Sequence, residues 1–93
     1  MDKQIVMIDK NTGKPLAVFD KVVTAVKYVH GEDTASKKYL QGISGCLRGI
    51  REDASGYIWT YISYFKHKPE ILRGVPKYKL NRQKEIVKDD SKY

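Results

Sequence analysis

The apolar positions of the chain divide it into short segments of different period. QIVMID (4–9) and LAVF (16–19) are runs of β-branched, aromatic and aliphatic residues, the composition of strands. Between them lies KNTGKP, where Gly13 can take positive φ and Pro15 closes a turn. A β-hairpin is predicted. The same stretch, Asp9 to Asp20, has the outline of a calcium loop, but its glycine stands at the fifth position and Asp20 replaces the closing glutamate, so the turn is the better reading. In DKVVTAVKYVH (20–30) the residues Val22, Val23, Val26 and Val29 recur at helical spacing, with Asp20 as N-cap. The valines themselves favour strand, so periodicity and propensity disagree here.

TASKKYLQGISGCLRG (34–49) predicts a second helix. Thr34 or Ser36 can cap it, and Gly49 stands where a C-terminal capping glycine belongs. Tyr39, Leu40, Ile43, Cys46, Leu47 and Ile50 make its apolar stripe. Lys38, Gln41, Gly45 and Arg48 make a separate polar one. Gly42 and Gly45 inside the helix cost roughly 1 kcal/mol each against alanine. Such a loss points to close approach, either by the first helix or by a ligand. GYIWTYISYF (56–65) alternates as a strand, with Tyr57, Trp59 and Tyr61 on one side and Trp59 as the core anchor. After Phe65 the chain turns basic and proline-containing. It is expected to be an extended arm, with a short helix at 80–88.

The fold class is therefore α+β: an N-terminal β-hairpin, a helix-turn-helix-like helix pair, a closing aromatic strand and a basic C-terminal tail. Residues 1–65 form the module and 66–93 the extension. At 93 residues one small core is the limit. The single cysteine, Cys46, allows no intramolecular disulfide and fits a reducing, cytoplasmic setting. No apolar run approaches the ~20 residues of a membrane helix, and MDKQIVMIDK lacks a signal-peptide pattern.

Charge changes the picture more. The net charge is +7, and residues 66–93 hold nine Lys/Arg against four Asp/Glu, whereas residues 1–65 hold nine against seven. Anionic partners are favoured. Catalytic chemistry is not supported: His30 and His67 lack metal-ligand spacing, and Cys46, a formal nucleophile for His30, lies on an apolar stripe as a core thiol would. No phosphate-cradling loop is present, and no cofactor or metal is expected. Lysine, arginine and glutamine on one helix face suit duplex DNA, through phosphates and base edges. The candidate DNA-binding residues are Lys37, Lys38, Gln41, Ser44, Arg48 and Arg51. Arg73, Lys77, Lys79, Arg82 and Lys84 are auxiliary backbone contacts from the tail.

Several pieces together resemble a known family: D-K-N-T-G-K (9–14), Phe19, Val22 and Ala25, I-S-G-C-L-R-G (43–49) and A-S-G-Y-I-W-T-Y (54–61). They are similar to the nuclease-associated modular domain, or intron-encoded nuclease repeat, of phage and intron homing endonucleases, over about residues 4–64. Here Asp20 stands where that family often has serine, the connector HGEDTASKK is longer, and the catalytic histidine-asparagine motif has no counterpart. The resemblance implies double-stranded DNA binding without cleavage, by a phage or mobile-element protein acting in the host cytoplasm. A protein-binding module that inhibits or redirects a host or defence protein through the basic and aromatic surface is the alternative. Supplying DNA affinity in trans to a nuclease is a third reading.

Overall fold

A computed structural model describes residues 4–31 and 37–89. Five strands form one mixed sheet: β1 (Ile5–Asp9), β2 (Pro15–Phe19), β3 (Tyr57–Tyr61), β4 (Lys77–Leu80) and β5 (Ile86–Lys88), in the order β3-β1-β2-β4-β5. Two helices, α1 (Val22–His30) and α2 (Lys37–Leu47), cover one face. Two single-turn 3-10 helices, Ile62–Phe65 and Pro69–Leu72, lie between β3 and β4.

The predicted hairpin is present as β1 and β2, antiparallel from Ile5↔Phe19 to Ile8↔Pro15. Its loop is closed by the Asp9 and Lys14 backbones, and Asn11 donates its N–H to the Asp9 carboxylate at 2.9 Å. That bond holds the Asp9 carboxyl below the usual carboxylate range. In α1 periodicity prevails over the strand propensity of valine. Ala25 and Val26 are fully buried, with Val22 and Val29 packed around them. Asp20 is not its N-cap: Lys21 holds that position without a side-chain cap, and Asp20 accepts the Thr24 hydroxyl instead. The proposed caps of α2, Thr34 and Ser36, lie outside the described residues.

The helix-side core is built from alternate strand residues. Ile5, Met7, Ala17, Phe19 and Trp59 meet Ala25, Val26, Ile43 and Cys46. Trp59 is the anchor expected of it, 2% exposed, with its indole N–H donated to the Ala54 carbonyl at 2.8 Å. Phe19, Tyr28 and Tyr78 extend this core toward β4 with ring centroids 5.0–5.8 Å apart. Hydrogen bonding to Tyr78 pushes the Tyr28 phenol above its ordinary pKa.

The other residues of β1 and β2, Val6 and Val18, face the opposite side. There Leu72 buries them, and Ile62, Phe65 and Val75 pack alongside. The sheet is thus covered on both faces, which explains why IVMI and LAVF are continuous apolar runs rather than alternating ones.

The segment after Phe65 is not an extended arm, and residues 80–88 are not a helix. Lys77–Leu80 pairs in parallel with β2, and Ile86–Lys88 returns antiparallel to it. The intervening turn is closed by the Lys84 N–H on the Asn81 carbonyl (3.0 Å), and the Asn81 side chain accepts the Glu85 N–H at 2.8 Å. An asparagine heading a tight turn outweighs the helical spacing of LNRQKEIVK. One sheet therefore crosses the boundary expected at residue 65.

Candidate nucleic-acid interface

The end of α2 sets the geometry of the candidate site. Ile50 N–H bonds the Gly45 carbonyl at 2.9 Å and Gly49 N–H bonds the Cys46 carbonyl at 3.1 Å, with Gly49 at φ 79°. This is the double closure of a Schellman motif, and Gly49 is the capping glycine the sequence predicted. An apolar residue at the position of Ile50 normally packs against the third-last helical residue. Here that residue is Gly45, which has no side chain to meet it. Ile50 is accordingly 71% exposed and does not belong to the apolar stripe assigned to it from spacing.

The Arg51 side chain takes the vacant place. A Cβ built on Gly45 would lie 3.3 Å from Arg51 Cδ, and one on Gly42 would lie 3.3 Å from Arg51 Nη1. The two glycines thus form a trough along α2 that holds the arginine stem. The first helix is not what fills it. Arg51 is nevertheless exposed, so its aliphatic part lies on the helix while the residue still meets solvent.

Lys37, Gln41, Ser44 and Arg48 are spaced i, i+4, i+7 and i+11 and fall on one ridge of α2. Lys37, Gln41 and Arg48 are exposed and Ser44 is half-buried; Lys38 flanks them, exposed, on the side of the Gly42–Gly45 trough. All six main candidates therefore share one surface, bounded by the turn carrying Arg48, Ile50 and Arg51. Behind that turn, Ala54 and Tyr57 exchange both backbone hydrogen bonds (2.9 and 3.0 Å) across Ser55 and Gly56, at φ 54° and 83°. This two-residue turn with both centres at positive φ directs the chain into β3. Lys10 Nζ reaches Asp53 at 3.5 Å and ties the first hairpin to the same loop.

The auxiliary residues do not join this surface. β3 and β4 are three strand spacings apart, about 14 Å, with α2 packed on β3 and α1 on β4 and β5. Lys79, Arg82 and Lys84 are exposed on the β4–β5 hairpin, and Arg73 is exposed beyond the second 3-10 turn. Lys77 departs from the expectation. Its side chain is buried in the sheet and lies 3.8 Å from the Asp89 carboxylate, so it is not an outward phosphate contact.

The catalytic pairing weighed from sequence is not assembled. Cys46 is buried; its Sγ accepts the Trp59 backbone N–H at 3.3 Å and lies 3.6 Å from the Glu52 and Trp59 carbonyls. His30 Nε2 instead shares a 2.7 Å hydrogen bond with Ser55 Oγ, while its ring stacks on Tyr39 at 3.7 Å. That cluster joins the end of α1, the start of α2 and the turn before β3. Among the described residues no group of His, Cys, Asp and Glu is placed to hold a metal, and no helix is long and apolar enough to cross a membrane. Comparison with known proteins gives no match: no family model, no curated protein and no solved structure resembles the chain closely enough to count.

Proposed function

We propose that the chain is a non-catalytic duplex-DNA-binding protein that presents the ridge of α2 to the DNA. The observation that carries this reading is the ridge of Lys37, Gln41, Ser44 and Arg48, with Arg51 laid into the glycine trough beside it. A major groove about 12 Å wide admits one α-helix. The face α2 turns outward carries cations for phosphates and one amide for a base edge. Lys37, Lys38, Arg48 and Arg51 contact phosphate on this reading, Gln41 reads adenine, and Ser44 keeps the centre of the ridge low enough for close approach. The resemblance to nuclease-associated modular domains points to the same helix and to a phage or mobile-element origin.

The test is an anisotropy titration with a mixed-sequence duplex across a salt series. Four phosphate contacts give a slope of log K against log salt of about −3.6. Gln41→Ala combined with Arg48→Ala should weaken binding and make the salt slope shallower by about 0.9, the share of the Arg48 phosphate. Unchanged affinity in that double variant removes the ridge from the interface. No binding at low salt moves the assignment to an acidic protein surface. A partner retained from nuclease-treated host lysate would then identify it.

A further inference from the structure

A second surface lies on the sheet face opposite the helices. Between β3 and β4 the chain makes successive tight turns: Lys66 N–H to the Ser63 carbonyl (3.2 Å), Lys68 to Phe65 (3.0 Å), Ile71 to Lys68 (3.1 Å), Arg73 to Glu70 (3.2 Å) and Val75 to Leu72 (3.1 Å). Ile62, Phe65, Leu72 and Val75 clamp this lid onto Val6 and Val18. It leaves Tyr64 outside at 77% exposure, beside exposed Lys66, His67, Lys68, Ile71 and Arg73. Only Glu70 opposes those cations within the lid.

We propose that this lid binds single-stranded nucleic acid, with Tyr64 and His67 as stacking rings and Lys66, Lys68 and Arg73 on the backbone phosphates. Three observations carry the inference. The first is the state of the rings. Phe19, Tyr28, His30, Tyr39, Tyr57, Trp59 and Tyr78 all pack against another ring; of the rings that pack against none among the described residues (Tyr61, Tyr64, Phe65 and His67), Phe65 is turned into the apolar clamp, and Tyr64, at 77% against 37% for Tyr61, is the more exposed tyrosine. Tyr64 stands in the first 3-10 turn and His67, also exposed, in the tight turn that follows it. The second is charge: three cations against one carboxylate complement a phosphate chain rather than a basic or neutral partner. The third is order. The backbone under Tyr64 is fixed by its turns and by the apolar clamp, so little conformational freedom is lost when a base stacks on it.

Aromatic faces beside cations are the requirement for strand binding without sequence choice. Every base presents a π-face to an aromatic ring, so a sequence-tolerant site is expected. Because Val6 and Val18 alternate with the residues under the helices, the lid and the α2 ridge lie on opposite sides of the sheet. The two surfaces can therefore be occupied together, and this proposal does not rest on the duplex reading.

The experiment is anisotropy with a short labelled oligothymidylate and, in parallel, a labelled duplex. Tyr64→Ala should weaken oligothymidylate binding about tenfold and leave duplex binding unchanged. Tyr64→Trp should retain it, and Lys66→Ala with Lys68→Ala should flatten its salt dependence. Tyr64 is exposed, so circular dichroism of these variants should match the parent. The proposal is overturned if the parent does not bind the oligonucleotide at low salt, or if Tyr64→Ala binds it as well as the parent does. It is equally overturned if Gln41→Ala with Arg48→Ala abolishes oligothymidylate binding, which would place the strand on α2. Loss through Tyr64 without any effect of the α2 variants on duplex sustains the lid and removes the ridge.

Discussion

Replacing Gly45 with alanine separates what the glycine trough does for stability from what it does for binding. A mid-helix glycine costs about 1 kcal/mol relative to alanine. The added methyl would meet Arg51 Cδ at 3.3 Å and Cγ at 3.4 Å, so the arginine stem must yield by a few tenths of an ångström. Arg51 is exposed, so its stem has solvent into which to turn. The carbonyl of Gly45, which accepts the Ile50 N–H, is untouched by the substitution. Gly45→Ala should therefore stabilise the protein by about 0.5–1 kcal/mol, raising Tm by roughly 2–8 °C for a domain of this length. Duplex affinity should move the other way. With the trough filled, Arg51 loses its seat, and the salt slope should become shallower by about 0.9, one phosphate. Thermal melts and the salt series read the two effects on the same sample. A lower Tm would show that Arg51 is rigidly packed rather than resting on the surface. A higher Tm with an unchanged salt slope would remove Arg51 from the interface.

Two further predictions concern the turns. Lys84 sits at φ 61° in the β4–β5 turn, where glycine is preferred, and its carbonyl accepts the Lys27 ammonium at 3.1 Å. Lys84→Gly keeps that carbonyl and should raise stability by about 0.5 kcal/mol, read as a higher urea midpoint; a loss would show that the lysine side chain itself holds the hairpin. The depressed Asp9 carboxyl contributes stability that is fully present above its unfolded-state pKa and is lost as pH falls through its lower folded-state value. Asp9→Asn should therefore show a flatter acid limb in urea melts between neutral and acidic pH, and an unaltered limb would exclude this carboxylate.

Local features were legible in the sequence. Gly13 and Gly49 marked a turn and a helix end through their own backbone needs, Cys46 was placed in the core by its helical stripe, and Trp59 as the anchor of an aromatic strand face. The errors arose where local detail finer than spacing, or pairing with distant chain, decides a residue's setting. Ile50 has helical spacing, yet its exposure follows from Gly45 being too small to receive it. KYKL reads as basic and solvated, yet parallel pairing with β2 buries Lys77 beside Asp89. The unbroken IVMI and LAVF runs already carried the needed signal, since strands apolar on both sides require cover on both sides. The candidate DNA surface was readable only in part: Gln41 and Arg48 lie on the outward ridge, but Gly45, placed on the polar stripe by spacing, is buried under Arg51. The seat of Arg51 and the lid beneath Tyr64 were not readable, because each is made by segments brought together only in three dimensions.

The parallel pairing of β2 with β4 also has a consequence for how the protein is made. Val18 cannot meet Lys77, nor Phe19 meet Tyr78, until the whole lid and the strand behind it have been synthesised. Until then the nascent hairpin carries an unpaired edge of Leu16, Ala17, Val18 and Phe19, an apolar template for another strand. A product released before β4 would present that edge permanently, which makes early termination or proteolytic clipping in this region a route to self-association rather than to a smaller working module.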